Sequence, residues 1–297
     1  MRSNENDNIN IDLNQKYIGF MGDSFVYGSG IDYDEHFINK IKNYDLNLNL
    51  LNLGYVGYSP SIYYKRLKYF IEEKKIKFKK IFLFVDTSDI QDEGVFYREN
   101  KKGHIVRKWL SDEDNSKKLF KYKIKNYLQQ NSFIYKFHQV LFLSSETDKS
   151  AECLKNKNQI LNFTDYLDLE RFSYGMSSDI QKKIWVKEGL DKVTNYLEKI
   201  KNLSIENNFE LIMVYYPSPV EILKNFNFDK SMHYKLLYNW SNLNKVSFIN
   251  TAYQFYKNNE GIDNYKENFI LCDVHWNSNG YDIIASNIIK FLNEKNN

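Results

Sequence analysis

Residues 16–30 read KYIGFMGDSFVYGSG, and in them an apolar run changes abruptly to Asp, Ser and Gly. The run KYIGFM predicts a buried strand, and the residues after it predict a turn at the carboxyl end of that strand. An ordinary loop does not require an acid and a hydroxyl in this order. A turn that exposes a nucleophile does, and its glycines leave space for a substrate. The candidate nucleophile is Ser24, which directly follows Asp23.

Strand and helix patterns alternate through the first ninety residues. LNLLNLG predicts a second strand that ends at Gly54, and KKIFLFVDTSD predicts a third, apolar on both faces as a central parallel strand should be. HFINKIKNY and SPSIYYKRLKYFIEEKK predict the intervening helices, with Ser59 as N-cap and Pro60 in the first turn of the second helix. This alternation predicts an α/β fold with a parallel sheet and right-handed crossovers.

The alternation breaks at about residues 90–178, which we interpret as an insertion. EGVFYREN and HIVRKW, separated by KKG, predict a β-hairpin, and helices are expected near 115–130 and 131–144. The α/β pattern then resumes, and we predict an arm at 1–14 and a single domain at 15–297. The elements expected after the insertion are a helix near 179–207, the strand FELIMVYYP, a helix near 231–242, the strand VSFINTA and the helix SNGYDIIASNIIKFLNEK.

Composition limits the classes of function. The net charge of +3 is small for 297 residues, and the basic clusters at 65–80 and 117–125 fit solvated helix faces better than a nucleic-acid patch. Cys153 and Cys272 have no metal-ligand spacing and are expected to be two buried thiols. No segment resembles a signal-peptide core or a membrane span, which predicts a cytoplasmic protein, although a removed leader would also fit. The oligomeric state is left open.

A candidate base lies near the other end of the chain. Among five histidines, His275 alone lies between an apolar segment and a predicted helix, in LCDVHWNSNGY. Asp273 lies two residues earlier, on the same side if the segment is extended, so its carboxylate can bond one imidazole nitrogen and leave the other for a serine. The alternative is that Asp-x-His merely ends a loop, with Asn277 or Ser278 capping the helix.

Three strand ends carry candidate site residues, at 22–24, 52–57 and 86–89. The carboxyl ends of parallel strands meet at one edge of a sheet, where ligands bind in open α/β folds. We therefore expect these three segments to lie along the same rim. No pair of histidines or cysteines shares a helix face, so no metal or other cofactor is expected.

GDSFVYGSG together with DVHWNSNGY resembles the GDSL, or SGNH, hydrolase superfamily, and NLGYVGYS, DTSD and YYPSP extend the resemblance over most of the chain. The resemblance implies that Ser24 is the nucleophile, His275 the base and Asp273 the acid that orients it. It also supports a three-layer α/β/α, flavodoxin-like fold, with a mostly parallel sheet and a hairpin-plus-helices insertion.

The resemblance further implies an oxyanion hole made by the backbone N–H groups of Ser24 and of a glycine, Gly57 in preference to Gly54. The third block of the family usually reads Gly-x-Asn-Asp, and its Asn side chain is a third donor. Here Ser88 stands in that place, where a hydroxyl could substitute less rigidly. Loss of one such donor costs about 3 kcal/mol.

Other residues are candidates for substrate binding, namely Asp23, Tyr27, Gly54 and Asp89. The acids at 89, 92 and 93 either receive sugar hydroxyls or form a solvated turn, and the sequence does not decide between these. For Trp276 we favour a place in the core.

The function predicted from these residues is hydrolysis of a small acyl ester by a Ser-His-Asp triad through an acyl-enzyme. The resemblance suggests an acetyl group on a carbohydrate as substrate. Two alternatives remain open: a carbohydrate O-acyltransferase with the same triad, and a non-catalytic glycan-binding module with the same fold.

Overall fold

The computed structural model describes residues 11–108 and 169–294. Within them, five strands form one fully parallel sheet in the order β2-β1-β3-β6-β7, and two more form an antiparallel hairpin. The strands of the sheet are β1 (Lys16–Met21), β2 (Leu50–Asn52), β3 (Lys77–Phe84), β6 (Glu210–Tyr215) and β7 (Ser247–Asn250). The hairpin consists of β4 (Tyr97–Glu99) and β5 (Ile105–Arg107).

Helices connect the strands and cover both faces of the sheet. Those of the first half are α1 (Ser24–Tyr27), α2 (Phe37–Tyr44), α3 (Pro60–Glu72) and α4 (Asp89–Gln91), followed by a π-helical turn (Asp92–Phe96). Those of the second half are α5 (Leu169–Ser173), α6 (Ser178–Gln181), α7 (Ile184–Glu206), α8 (Pro219–Leu223), α9 (Met232–Asn244), α10 (Ala252–Phe255), α11 (Gly261–Asn268) and α12 (Ser278–Glu294). Short 3-10 turns lie at Tyr33–Glu35 and Phe228–Lys230.

The alternation of strand side chains divides the core into two clusters, one on each face of the sheet. On one face, Phe20, Phe82 and Val214 pack with α2 and α12. On the other, Leu83 and Met213 pack with α3, α7 and α9. The predicted three-layer α/β/α fold is therefore confirmed, and the strand order follows the flavodoxin-like pattern.

Several predicted elements are confirmed in detail, and others need correction. The hairpin and the last helix are present, but the helix expected near 179–207 is interrupted at residues 182–183, where no Gly or Pro signals a break. The short helices α10 and α11 were not predicted. The helices expected near 115–130 and 131–144, and most of the arm at 1–14, lie outside the described residues. The domain boundaries and the cytoplasmic location stay predictions.

The expectation of two thiols was wrong for Cys272, which is buried and disulfide-bonded. Distance along the sequence gave no guide to distance in space. The other cysteine, Cys153, lies outside the described residues. Among the helices at 11–108 and 169–294, none is long and apolar enough to cross a membrane.

The amino terminus of α3 is closed by a residue from another part of the chain. Pro60 occupies the first turn as predicted, but the Ser59 side chain does not cap the helix. Its hydroxyl donates instead to Glu93 Oε1 at 2.6 Å, and the same oxygen accepts the Ser61 N–H at 2.7 Å. Glu93 is 1% exposed, so it stabilises α3 from within the fold rather than binding sugar or forming a solvated turn.

We predict that Glu93→Ala lowers the free energy of unfolding by about 2–4 kcal/mol, because two buried donors lose their acceptor. Urea denaturation measures this change. Glu72→Ala is the control, since Glu72 forms only an exposed i,i+4 pair with Lys68, worth about 0.3–0.5 kcal/mol. Equal losses in the two variants would contradict the capping role.

Candidate active site

Ser24 begins α1 immediately beyond the carboxyl end of β1. Asp23 caps this short helix by accepting the Phe25 N–H at 3.1 Å. Gly22 is required for close packing of the turn, because a Cβ there would lie 2.4 Å from Val26 Cγ2. The serine hydroxyl is thereby held at the rim of the sheet on a rigid turn.

The structure brings Ser24, His275 and Asp273 together. His275 Nε2 lies 2.8 Å from Ser24 Oγ, and His275 Nδ1 lies 2.6 Å from Asp273 Oδ1. Partial burial favours a neutral carboxyl, but the hydrogen bonds and charge of His275 outweigh it and hold the pKa of Asp273 below its ordinary value. The contacts form the hydrogen-bonded chain that a nucleophilic serine requires.

The local geometry of Asp273 and His275 differs from the one expected. The segment is not an extended strand but a bend, in which Asp273 Oδ1 accepts both the His275 ring nitrogen and the His275 backbone N–H, the latter at 3.0 Å. An Asp side chain that bonds the backbone two residues on is a common turn device. The Tyr265 hydroxyl holds the bend by donating to the Asp273 carbonyl at 2.6 Å.

Aromatic packing aligns the two halves of this site. Trp276 is fully buried, as predicted, and its ring lies 4.7 Å from that of Phe25, the residue after Ser24. Phe25 also lies 5.0 Å from the imidazole of His275. The Tyr281 hydroxyl, from α12, donates to the Phe25 carbonyl at 2.9 Å. The last loop and helix are therefore fixed directly against the turn that carries the nucleophile.

Of the two candidate glycines, Gly57 has the N–H that remains available. Gly54 donates its N–H to the Asn52 side chain at 2.9 Å and packs under α1, where a Cβ would lie 2.6 Å from Tyr27 N. Gly57 has a positive φ of 72°, and its carbonyl accepts the Tyr97 hydroxyl at 2.6 Å. Its N–H forms no hydrogen bond with the described residues. Gly54 thus serves packing, not substrate binding as expected.

Ser88 does not have the position expected of a third oxyanion donor. It is 2% exposed, and both its hydroxyl and its N–H donate to Asp86 Oδ2, the N–H at 2.9 Å. A hydroxyl has one proton to donate, so this bond leaves none for a substrate. The side chain shapes the turn after β3 instead.

The predicted substrate contacts of Asp23 and Asp89 are not available either. Both carboxyls are buried, and Asp89 accepts the Tyr63 hydroxyl at 3.0 Å and the Asp86 N–H at 3.0 Å. Burial, with the charge of Asp86, raises the pKa of Asp23 from 3.8 to about 7. Burial and the charge of Asp23 raise the pKa of Asp89 well above its ordinary value.

Asp92 extends this group of buried acids toward the surface. Burial raises its pKa from 3.8 to about 7, although its ion pair with Arg171, at 3.1 Å, opposes the shift. Nothing in the sequence distinguished these buried acids from a solvated turn. Tyr63, the hydroxyl donor beneath them, was not recognised as part of this region. Within residues 11–108 and 169–294, no group of three or more His, Cys, Asp or Glu could hold a metal ion.

Tyr27 lies at the rim, as expected of a substrate-binding residue. It ends α1, is half-buried, and its ring meets the exposed ring of Tyr55 edge-on at 5.7 Å. A contact with substrate stays a prediction.

No family model matches this chain, and no curated protein matches it significantly. Solved structures do resemble it. A lipolytic protein of the G-D-S-L family from Veillonella parvula DSM 2008 is 13% identical, with a TM-score of 0.47, and the match covers 93% of this chain and 97% of that one. The psychrotrophic esterase EstA from Pseudoalteromonas sp. is 11% identical, with a TM-score of 0.47, and the match covers 94% and 100%.

A variant of an acetyl-xylooligosaccharide esterase from Geobacillus Stearmophilus is 10% identical, with a TM-score of 0.48 and 93% of each chain covered. This chain is similar to these proteins. The identities and TM-scores are too low to assign it their activities, so its function must be inferred from its own site.

We predict that Ser88→Ala lowers kcat by less than tenfold, whereas loss of a true oxyanion donor costs about 10²–10³. Steady-state turnover of p-nitrophenyl acetate measures the effect. A loss of 10² or more, with an unchanged melting temperature, would return Ser88 to the oxyanion hole.

We also predict that stability falls as the pH rises through the range between 3.8 and about 7, the ordinary and shifted pKa values of Asp23. Over this range the folded protein keeps a proton that the unfolded chain has released, so higher pH favours unfolding, by up to about 1.4 kcal/mol per pH unit for each such group. Urea denaturation at pH 5, 6, 7 and 8 measures the slope.

Asp23→Asn keeps the cap but cannot titrate, so its slope is expected to be shallower than that of the unsubstituted protein. Asp34→Asn, at an exposed position, is the matched control. Equal slopes for the unsubstituted protein and Asp23→Asn would exclude Asp23 as a source of the pH dependence.

Proposed function

We propose that this protein is a serine esterase whose triad is Ser24, His275 and Asp273. The observation that carries the proposal is the continuous chain of hydrogen bonds from Ser24 Oγ through both ring nitrogens of His275 to Asp273 Oδ1. The His275 side chain is 17% exposed, so the site opens to solvent while its geometry stays fixed.

In the proposed reaction, His275 Nε2 removes the proton of Ser24 Oγ as this oxygen attacks the ester carbonyl. Asp273 holds the imidazole in the required orientation and stabilises its charged form. The oxyanion accepts the N–H groups of Ser24 and Gly57. The carbonyl re-forms as the alcohol leaves with the proton of His275, and water then cleaves the acyl-enzyme with the same histidine as base.

A small acyl group on a carbohydrate is the proposed substrate class. The turn at residues 22–24 is packed tightly against α1, which leaves little depth for a long acyl chain. Tyr27 offers an aromatic face at the rim for the alcohol part of the ester.

Ser24→Ala and His275→Ala are each expected to lower kcat/KM for p-nitrophenyl acetate by about 10⁴-fold or more, because the nucleophile and its base act as a unit. Comparison with esters of longer acyl chains measures the depth of the acyl site. His104→Ala is the matched control, since His104 is exposed on the hairpin.

Activity that survives Ser24→Ala would refute the mechanism. Acetate transfer to an added sugar, in preference to water, would favour the O-acyltransferase. A stable complex with a glycan but no turnover of any ester would favour the binding module.

A further inference from the structure

An aromatic surface lies beside the proposed site and has no part in the chemistry above. We call it the aromatic platform and define it as Tyr27, Tyr55 and Tyr58. The Tyr27 and Tyr55 rings have centroids 5.7 Å apart, and those of Tyr55 and Tyr58 are 4.9 Å apart. Tyr55 is 48% exposed, and the adjacent Val56 is 52% exposed. Clustered apolar groups left in water on one side of a site commonly mark a binding surface.

The platform is continuous with the catalytic turn. Tyr27 ends the same helix that Ser24 begins, and Tyr55 donates its N–H to the carbonyl of Gly22 at 3.2 Å. Gly57, the proposed oxyanion donor, lies in the chain between Tyr55 and Tyr58. An ester held at Ser24 therefore has the platform next to it.

A cation lies at the far end of the platform. The Arg66 guanidinium, from α3, is 5.8 Å from the Tyr55 ring centroid and 5.2 Å from that of Tyr58. Arg66 Nη1 donates to the Tyr58 hydroxyl at 2.9 Å, which fixes the side chain. These contacts arrange the cation in advance of any ligand.

The charge of Arg66 is not balanced by the residues around it. Its neighbours on α3 are paired, Lys65 with Glu99 at 2.9 Å and Lys68 with Glu72 at 3.5 Å. Arg66 forms no ion pair with a carboxylate in the described parts of the chain. A positioned guanidinium with free donors suits a planar carboxylate, which it can bind through two hydrogen bonds.

We propose that the aromatic platform and Arg66 bind the carbohydrate part of an anionic substrate, an O-acylated oligosaccharide whose sugars carry carboxylates. The apolar C–H faces of the sugar rings stack on Tyr27 and Tyr55, and a sugar carboxylate pairs with Arg66. Tyrosines supply such contact area at a low cost in conformational entropy. This inference rests on the proposed function, because it assigns the alcohol part of that ester.

The test is calorimetric titration of the Ser24→Ala protein with trigalacturonate and with xylotriose, which is neutral and of equal length. Trigalacturonate is expected to bind more tightly than xylotriose, and added salt is expected to weaken only the binding of trigalacturonate. Arg66→Met, which keeps an apolar stem, is expected to weaken trigalacturonate binding by about tenfold or more and to leave xylotriose unaffected.

Two further comparisons separate the proposed role from a loss of folding. Tyr55→Ala is expected to weaken both sugars, whereas Tyr55→Phe restores binding because it keeps the ring. Lys68→Met is the matched control, since it removes a cation from the same helix but one already paired with Glu72. Melting temperatures of all variants accompany the titrations.

Equal affinity for the two sugars, or equal effects of Arg66→Met and Lys68→Met, would overturn the inference. Hydrolysis of p-nitrophenyl acetate by the unsubstituted protein tests the proposed function separately. If hydrolysis depends on Ser24 and sugar binding fails, the substrate class alone is wrong. If sugar binding succeeds without hydrolysis of any ester, the platform stands and the esterase proposal fails.

Discussion

The hydrogen bond between Ser24 Oγ and His275 Nε2 is the contact on which the candidate site depends, and it joins residues 251 positions apart. Each partner is followed by an aromatic residue, Phe25 or Trp276, and these two rings pack together in the core. Burial of apolar side chains thus sets the distance between two polar ones. Because catalysis falls steeply with misalignment, a rigid core beneath the site is part of its chemistry.

Buried carboxyls beneath the nucleophile impose a second constraint. Burial raises the pKa of Asp23 and of Asp92 to about 7 and that of Asp89 well above its ordinary value. Close carboxyls cannot all ionise in a low-dielectric interior without a large cost. The fold accepts this cost because the same groups cap α1 and bond Tyr63. Stability and the shape of the site are therefore linked to pH.

Sequence patterns predicted the layers, most of the strands and the three residues that meet at the site. The contact between Asp273 and His275 was expected for the wrong reason, since a bend rather than an extended segment brings them together. Ser88 and Asp89 could not be placed from sequence. A polar residue after a strand has the same signature whether it faces solvent or bonds Asp86 or Tyr63 in the interior.

The sequence by itself determined the parallel sheet, because apolar runs of strand length alternate with helical periodicities, and it placed a serine and an Asp-x-His pair at chain segments that a parallel sheet brings to one edge. Tertiary structure alone decided which polar groups remain free to act. It left the Gly57 N–H without a partner in the described chain, committed Ser88 to Asp86, and set Arg66 over two tyrosines without an acid. Hydrogen bonding and burial depend on partners distant in sequence, and no local pattern records them.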